Sequence, residues 1–144
     1  MSFVRIGPKD LQAALFTLNL RTGQARQLTS YNADVAVKTG WSPDSRRILF
    51  SRDAYGQKPG ISGNVMTVGH NGSRLRAVTH FRGGEVTAFA GSFSPDGRRV
   101  AYRREATNDY TLVLARRDGS HPTPILHSST LKPRGIDWGP SPCR

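Results

Sequence analysis

The chain contains one ten-residue phrase twice. Residues 41–50 read WSPDSRRILF and residues 93–102 read FSPDGRRVAY, 52 positions apart. An internal repeat restricts a fold more tightly than composition does, because each unit has to present equivalent faces to its neighbours. A second phrase, an apolar strand followed by a glycine turn, occurs three times: LFTLNLRTGQARQLTS from Leu15, NVMTVGHNGSRLRAVTH from Asn64 and TLVLARRDGSHPTPILH from Thr111. The turn glycines Gly23, Gly72 and Gly119 lie 49 and 47 residues apart, and the aromatics Trp41, Phe93 and Trp138 lie 52 and 45 apart. Both markers report a period slightly under fifty residues.

Within this period the units are approximately 1–41, 42–93 and 94–138 of a single domain, 1–144. The opening SFVR fits the slot of ILFSR and VAYRR, which places Phe3, Phe50 and Tyr102 together. Each full unit reads as four short strands. In the second they are expected at 35–41, 46–51, 64–69 and 74–79, and in the third at 86–93, 98–103, 110–116 and 122–126. The connections carry turn chemistry. Pro43 and Pro95 preset φ at the second turn position, Asp44 and Asp96 cap backbone N–H groups, and Gly97 accepts a positive φ. Asn71-Gly72 and Asp118-Gly119 are two-residue hairpin turns. Hairpin following hairpin, without helix-length apolar periodicity, means an antiparallel meander.

A four-stranded meander repeated every 40–50 residues is the pattern of a β-propeller blade. The expected fold class is therefore all-β, an incomplete β-propeller of about three four-stranded antiparallel blades. Ile48 and Phe50 face one way and Leu49 the other, as a sheet stacked between two sheets requires. Trp41, Phe93 and Trp138 are expected to pack between blades.

The phrases WSPDSRRILFSR and FSPDGRRVAYRR, with the endings RQLTS and RAVTH, resemble the Trp-Ser-Pro-Asp-Gly repeats of the TolB-like, WD-repeat-like β-propellers. The resemblance runs from about Phe3 to Pro142 and is specific for fold. For function it implies either a periplasmic scaffold that binds proteins and peptides, or the propeller of a prolyl-oligopeptidase-like serine peptidase. Members of the family normally carry six or seven blades. Three blades cannot close a ring at normal twist, so the expectations are a C-terminal fragment of a larger propeller, two copies joined in a six-bladed ring, or an open stack capped by a partner. MSFVRIGPKDLQ has no apolar stretch before a small-residue cleavage site, which points to the cytoplasm, whereas a truncated N-terminus would agree with a periplasmic or secreted setting.

The residues exclude several chemistries. There is no Gly-x-Ser-x-Gly elbow, no glycine-rich phosphate loop and no His-Glu-x-x-His pair, so no enzyme activity, cofactor or metal is expected. No apolar run reaches the ~20 residues of a membrane helix. The single cysteine, Cys143, has no partner for an intramolecular disulfide. His70, His80, His121 and His127 lie in or beside turns and read as exposed loop ends.

Charge carries what functional content remains. Lys and Arg number 21 against 10 Asp and Glu, a net charge of +11. Arg46-Arg47 and Arg98-Arg99 occupy the same turn of successive units, while Arg5, Arg52 and Arg104 share the end of the following strand. Arg46, Arg47, Arg52, Arg98, Arg99 and Arg104 are therefore expected to form a basic arc around one rim. The expected function is a non-enzymatic protein-interaction module whose partner offers an acidic segment. The peptidase-propeller reading is the alternative. Electrostatic nucleic-acid binding is weaker, because no aromatic platform alternates with the arginines.

Overall fold

The computed structural model describes residues 1–8, 11–53 and 60–139 of the protein. Among the described residues, the turns separate eleven strands and one 3-10 turn. β1 (Ser2–Ile6), β2 (Ala13–Leu18) and β3 (Ala25–Gln27) form a first sheet in the order β1-β2-β3. After the 3-10 turn Tyr31–Ala33, a second sheet follows in the order β4 (Thr39–Trp41), β5 (Arg47–Arg52), β6 (Asn64–Gly69) and β7 (Arg76–Ala77). The third sheet is β8 (Thr87–Phe93), β9 (Arg99–Ala106), β10 (Asp109–Arg116) and β11 (Thr123–Ser128), again in chain order. Every pairing is antiparallel. Hydrogen bonding places Trp41 and Phe93 at the ends of the first strands of the second and third sheets, where the strand pattern expects them.

The sheets stack face to face, with an apolar layer at each junction. Between the first and second sheets lie Leu15, Val35, Ile48, Phe50, Met66 and Val68, with Trp41 and Leu28 at the edge. Between the second and third lie Leu49, Val65, Val78, Ala90, Phe93, Val100, Tyr102 and Val113. Strand β5 thus feeds both layers, Ile48 and Phe50 on one side and Leu49 on the other, and all three are fully buried.

Two strands are shorter than the sequence pattern indicates, each for a local reason. Only Thr39–Trp41 of 35–41 is strand, because Val35 N–H donates to Ala13 O (2.9 Å) and Ala36 N–H to Ser51 O (3.1 Å), which carries the chain across from one sheet to the next. Pairing of β7 stops early because Thr79 Oγ1 accepts the Val65 N–H at 2.9 Å. Thr29 does the same at the end of β3, accepting the Leu15 N–H at 3.0 Å. This is what the recurring Leu-Thr and Val-Thr endings do. The third sheet lacks that threonine, and β11 pairs along β10 as far as Tyr110↔Ser128.

The glycine turns make a second inter-sheet contact. Gly119, at φ +87°, lies against the backbone of Val78, so that a Cβ there would fall inside contact distance of the Val78 carbonyl. Gly72 takes the equivalent place near Leu28, whereas Gly23 has nothing within 4 Å. A side chain at any of the three meets left-handed strain of about 1–2 kcal/mol, and only at Gly119 does it also meet backbone. Gly119→Ala is therefore expected to lower the urea midpoint clearly more than Gly23→Ala, and equal losses in the two variants would refute the contact.

Candidate functional site

The two Ser-Pro-Asp turns repeat atom for atom. Ser42 Oγ donates to Asp44 Oδ1 at 2.6 Å and accepts Arg47 N–H at 2.9 Å, while Asp44 Oδ1 accepts Arg46 N–H at 3.1 Å. In the next sheet Ser94, Asp96, Arg98 and Arg99 repeat this with 2.6, 2.9 and 3.0 Å. Ser45 and Gly97 complete the turns at φ 57° and 67°. The serine hydroxyl bond and the backbone N–H bond hold both carboxyls below the ordinary carboxylate range. Asp118 in the β10–β11 turn is lowered in the same way by Ser120. These carboxylates are bound to their own turns, which fixes the backbone from which the neighbouring arginines project.

All hairpin turns of one polarity open on the same rim. It carries Arg21 and Arg26 from the first sheet, Arg46, Arg47, Arg74 and Arg76 from the second, and Arg98, Arg99, Arg116 and Arg117 from the third, against Asp44, Asp96 and Asp118. The turns are tied together in pairs: His70 N–H donates to Arg46 O (3.0 Å) and Arg117 N–H to Arg98 O (2.9 Å). Between the second and third sheets the rim is hollowed into three adjoining depressions of about 490, 290 and 140 Å³, all lined by Arg47 and Arg117. Arg46 and Arg74 line the largest and Arg76 the second, with Asp44, Asn71, Ser73 and Asp118 among them.

The six expected arc residues divide between two rims. Arg46, Arg47, Arg98 and Arg99 share the hairpin rim, but Arg52 and Arg104 lie at the far ends of β5 and β9, with Arg5 at the far end of β1. There Arg52 Nε pairs with Asp53 (3.1 Å) and Arg104 Nη1 with Asp109 (2.7 Å). Asp109 is lowered first by the Thr111 hydroxyl and then by Arg104, and His127 Nδ1 lies 3.1 Å from it. Strands of six to eight residues separate the two groups, and at ~3.3 Å per residue they do not act on one ligand atom. Arg74, Arg76 and Arg117, which share the cleft with Arg47, flank the same Asn-Gly and Asp-Gly hairpins that mark the repeat, and that adjacency is the signal for them.

The remaining candidates are accounted for by place. Trp41 Nε1 donates to Ser2 Oγ at 2.9 Å. Phe93 lies in the second apolar layer and also lines the cleft. Trp138 N–H donates to Ser92 Oγ at 3.0 Å, and its indole N–H is buried without a partner among the described residues. Pro43 and Pro95 sit in their turns, with Pro43 Cδ 3.4 Å from where a Cβ on Gly97 would be. His70 and His121 lie on the hairpin rim and His80 and His127 at the other, and among the described residues no group of three His, Cys, Asp or Glu side chains converges to hold a metal ion. Cys143 is outside the described residues. Among them, no helix is long and apolar enough to cross a membrane.

The stack of antiparallel sheets has known counterparts. A candidate TolB from Agrobacterium tumefaciens is similar over 88% of this chain and 45% of its own, with a TM-score of 0.68 and 21% identity. The chain has the β-propeller fold. TolB from Acinetobacter baumannii (TM-score 0.61, 17% identity, 85% of this chain and 29% of that one) has the same arrangement. So does the β-propeller domain of the Trilobed protease from Pyrococcus furiosus (0.56, 14%, 86% and 39%). No protein-family model and no curated protein matches the sequence. The chain spans less than half the length of each of these structures, and the first is about twice as long as it. In propeller terms the three sheets are successive blades, and the basic cleft lies at one rim between the second and third.

The turn carboxylates set a pH dependence. A folded pKa below the unfolded value of ~3.9 stabilises the fold above that value, and the contribution is lost as pH falls through the folded pKa. The urea midpoint is expected to fall from pH 5 to pH 3, and the Asp44→Asn, Asp96→Asn variant to fall less over that interval. An identical slope in the variant would show that the turns do not contribute.

Proposed function

We propose that this propeller segment is a non-enzymatic protein-interaction module that takes an acidic stretch of a partner protein in the rim cleft between its second and third blades. The reading rests on the convergence of Arg46, Arg47, Arg74, Arg76 and Arg117 on one hollow. Guanidinium groups are obligate donors with a planar fork that matches carboxylate, and they keep their charge at any working pH. Among the described residues the ion pairs lie at the opposite rim and around the C-terminal segment, which supports reading this charge as open to a ligand.

The composition of the cleft supports binding over acid-base chemistry. Its carboxylates are held low by their own turns, which leaves them ionised and without a proton to donate near neutral pH. Its aromatic, Phe93, is only 5% exposed, packed in the core instead of offering a face for a nucleobase to stack on. An acidic peptide needs neither group, only guanidinium forks and the polar backbone of the turns.

The test is fluorescence anisotropy with a labelled oligoglutamate peptide, an oligoglutamine control and a single-stranded oligonucleotide. The oligoglutamate is expected to bind, more weakly as salt rises. Arg47→Glu with Arg117→Glu is expected to weaken binding at least about tenfold, or ~1.4 kcal/mol, while Arg5→Glu at the opposite rim leaves it within twofold. No binding of oligoglutamate at low salt, tighter binding of the oligonucleotide, or hydrolysis of peptide or ester substrates by the pure chain would each overturn the reading.

A further inference from the structure

Segment 135–138 occupies a place that the repeat defines. β8 lies on β4 so closely that a Cβ on Gly40 would sit 3.2 Å from Gly91 O and 3.4 Å from Ser92 Cα. One step along the stack, a Cβ on Gly91 would sit 3.0 Å from Ile136 Cβ, and Trp138 N–H donates to Ser92 Oγ at 3.0 Å. Residues 135–138 therefore lie on β8 as β8 lies on β4, and Trp138 stands in sequence where Trp41 and Phe93 stand. The segment is fastened to the outer face of the third blade. Arg103 Nη1 donates to Pro133 O, Lys132 Nζ lies 2.5 Å from Glu105, and the Arg103 guanidinium covers the Phe89 ring at 4.2 Å.

Two edges are left that fit each other. β5 and β9 each have a strand on their inner side, β4 and β8, whereas their counterpart β1 is the edge of a three-stranded sheet. Among the described residues, segment 135–138 is irregular backbone in the place of an inner strand, and it joins no sheet. The flanking faces are also alike in chemistry. On the first blade Phe3 stacks on Phe16 at 5.4 Å, at the register that Phe50↔Met66 and Tyr102↔Val113 hold inside the two buried junctions. On the third blade the outer face presents Phe89, Tyr110 and Leu112, partly covered by the segment.

We propose that a second copy of this chain closes the stack, with segment 135–138 of each copy serving as the innermost strand of the other copy's first blade. Two copies give six sheets, within the range of closed propellers, and leave no edge strand exposed. The A. tumefaciens propeller to which this chain is similar has about the length of two copies. A two-fold axis makes the two junctions identical. The register follows from the second blade. Since Thr39 faces Phe50, Gly40 faces Leu49 and Trp41 faces Ile48, Ile136 faces Phe3, Asp137 faces Ser2 and Trp138 faces Met1 of the other copy.

The experiment uses the purified 144-residue chain. Light scattering is expected to show a discrete species of twice 15.8 kDa. A Ser2→Cys, Asp137→Cys variant in a Cys143→Ser background, treated with a short bis-maleimide, is expected to run as a covalent dimer, and either single-cysteine variant as a monomer. A folded 15.8 kDa monomer, open-ended oligomers, aggregates covered only by further sheets of another polypeptide, or a double variant that stays at monomer mass would each overturn the proposal.

Discussion

The structure depends on one requirement, that the middle sheet be apolar on both faces. A sheet with one solvated face alternates apolar and polar residues, and β5 does not. Ile48, Leu49 and Phe50 are consecutive and all fully buried, because the strand has a neighbour on each side. Fully burying side chains of that size contributes about 1.5–3 kcal/mol each. Strands of this kind leave no room along their length for charge. A sequence with 17 arginines in this fold must carry most of them in turns and at strand ends. The architecture and the charge distribution are thus two results of one packing constraint.

The turns have to be built without help from a core. They achieve this by a closed set of short polar bonds, in which the serine hydroxyl and the aspartate carboxylate satisfy the backbone N–H groups of the two arginines that follow. Thr29 and Thr79 apply the same principle where the strands end, replacing a ladder carbonyl by a side-chain oxygen. Asn64 is a further case that no repeat announces: its amide bonds Ser62 O, Phe81 O, Phe81 N–H and the Thr79 hydroxyl, tying the loop beyond β7 back to β6.

What the sequence made legible follows from this division. Period, meander order and the split of Ile48 and Phe50 from Leu49 depend on alternation and on turn chemistry, which are local, and they are found as read. The arc did not survive as one surface, since residues at the start and end of a strand recur with the same period yet lie on opposite rims. Arg47 and Arg52 illustrate this, one lining the cleft and the other paired with Asp53. For Arg117 the Asp-Gly hairpin beside it signals the rim, but not the partner it meets there. Its place beside Arg47 depends on how the β10–β11 turn of one sheet sits over the sheet before it, and stacking of that kind has no sequence period of its own. The early end of the strand at 35–38 is similar, set by bonds to Ala13 and Ser51 in two different sheets.

The two rims differ in how they treat acidic residues. At the far rim Asp53 and Asp109 face arginine side chains and neutralise them. At the hairpin rim Asp44, Asp96 and Asp118 bond backbone N–H groups and serine hydroxyls, and they meet the neighbouring arginines through charge alone, as a weaker influence than those bonds. Ten arginines therefore stand over three aspartates that are already engaged. A field built this way does not collapse by internal pairing, and it reaches outward about a Debye length, ~8 Å at physiological ionic strength. The concave cleft at Arg47 and Arg117 is where arginines of two blades superpose their fields, and among the described residues no ion pair lies there, so under the proposed function an acidic segment would exchange water for guanidinium donors without displacing one.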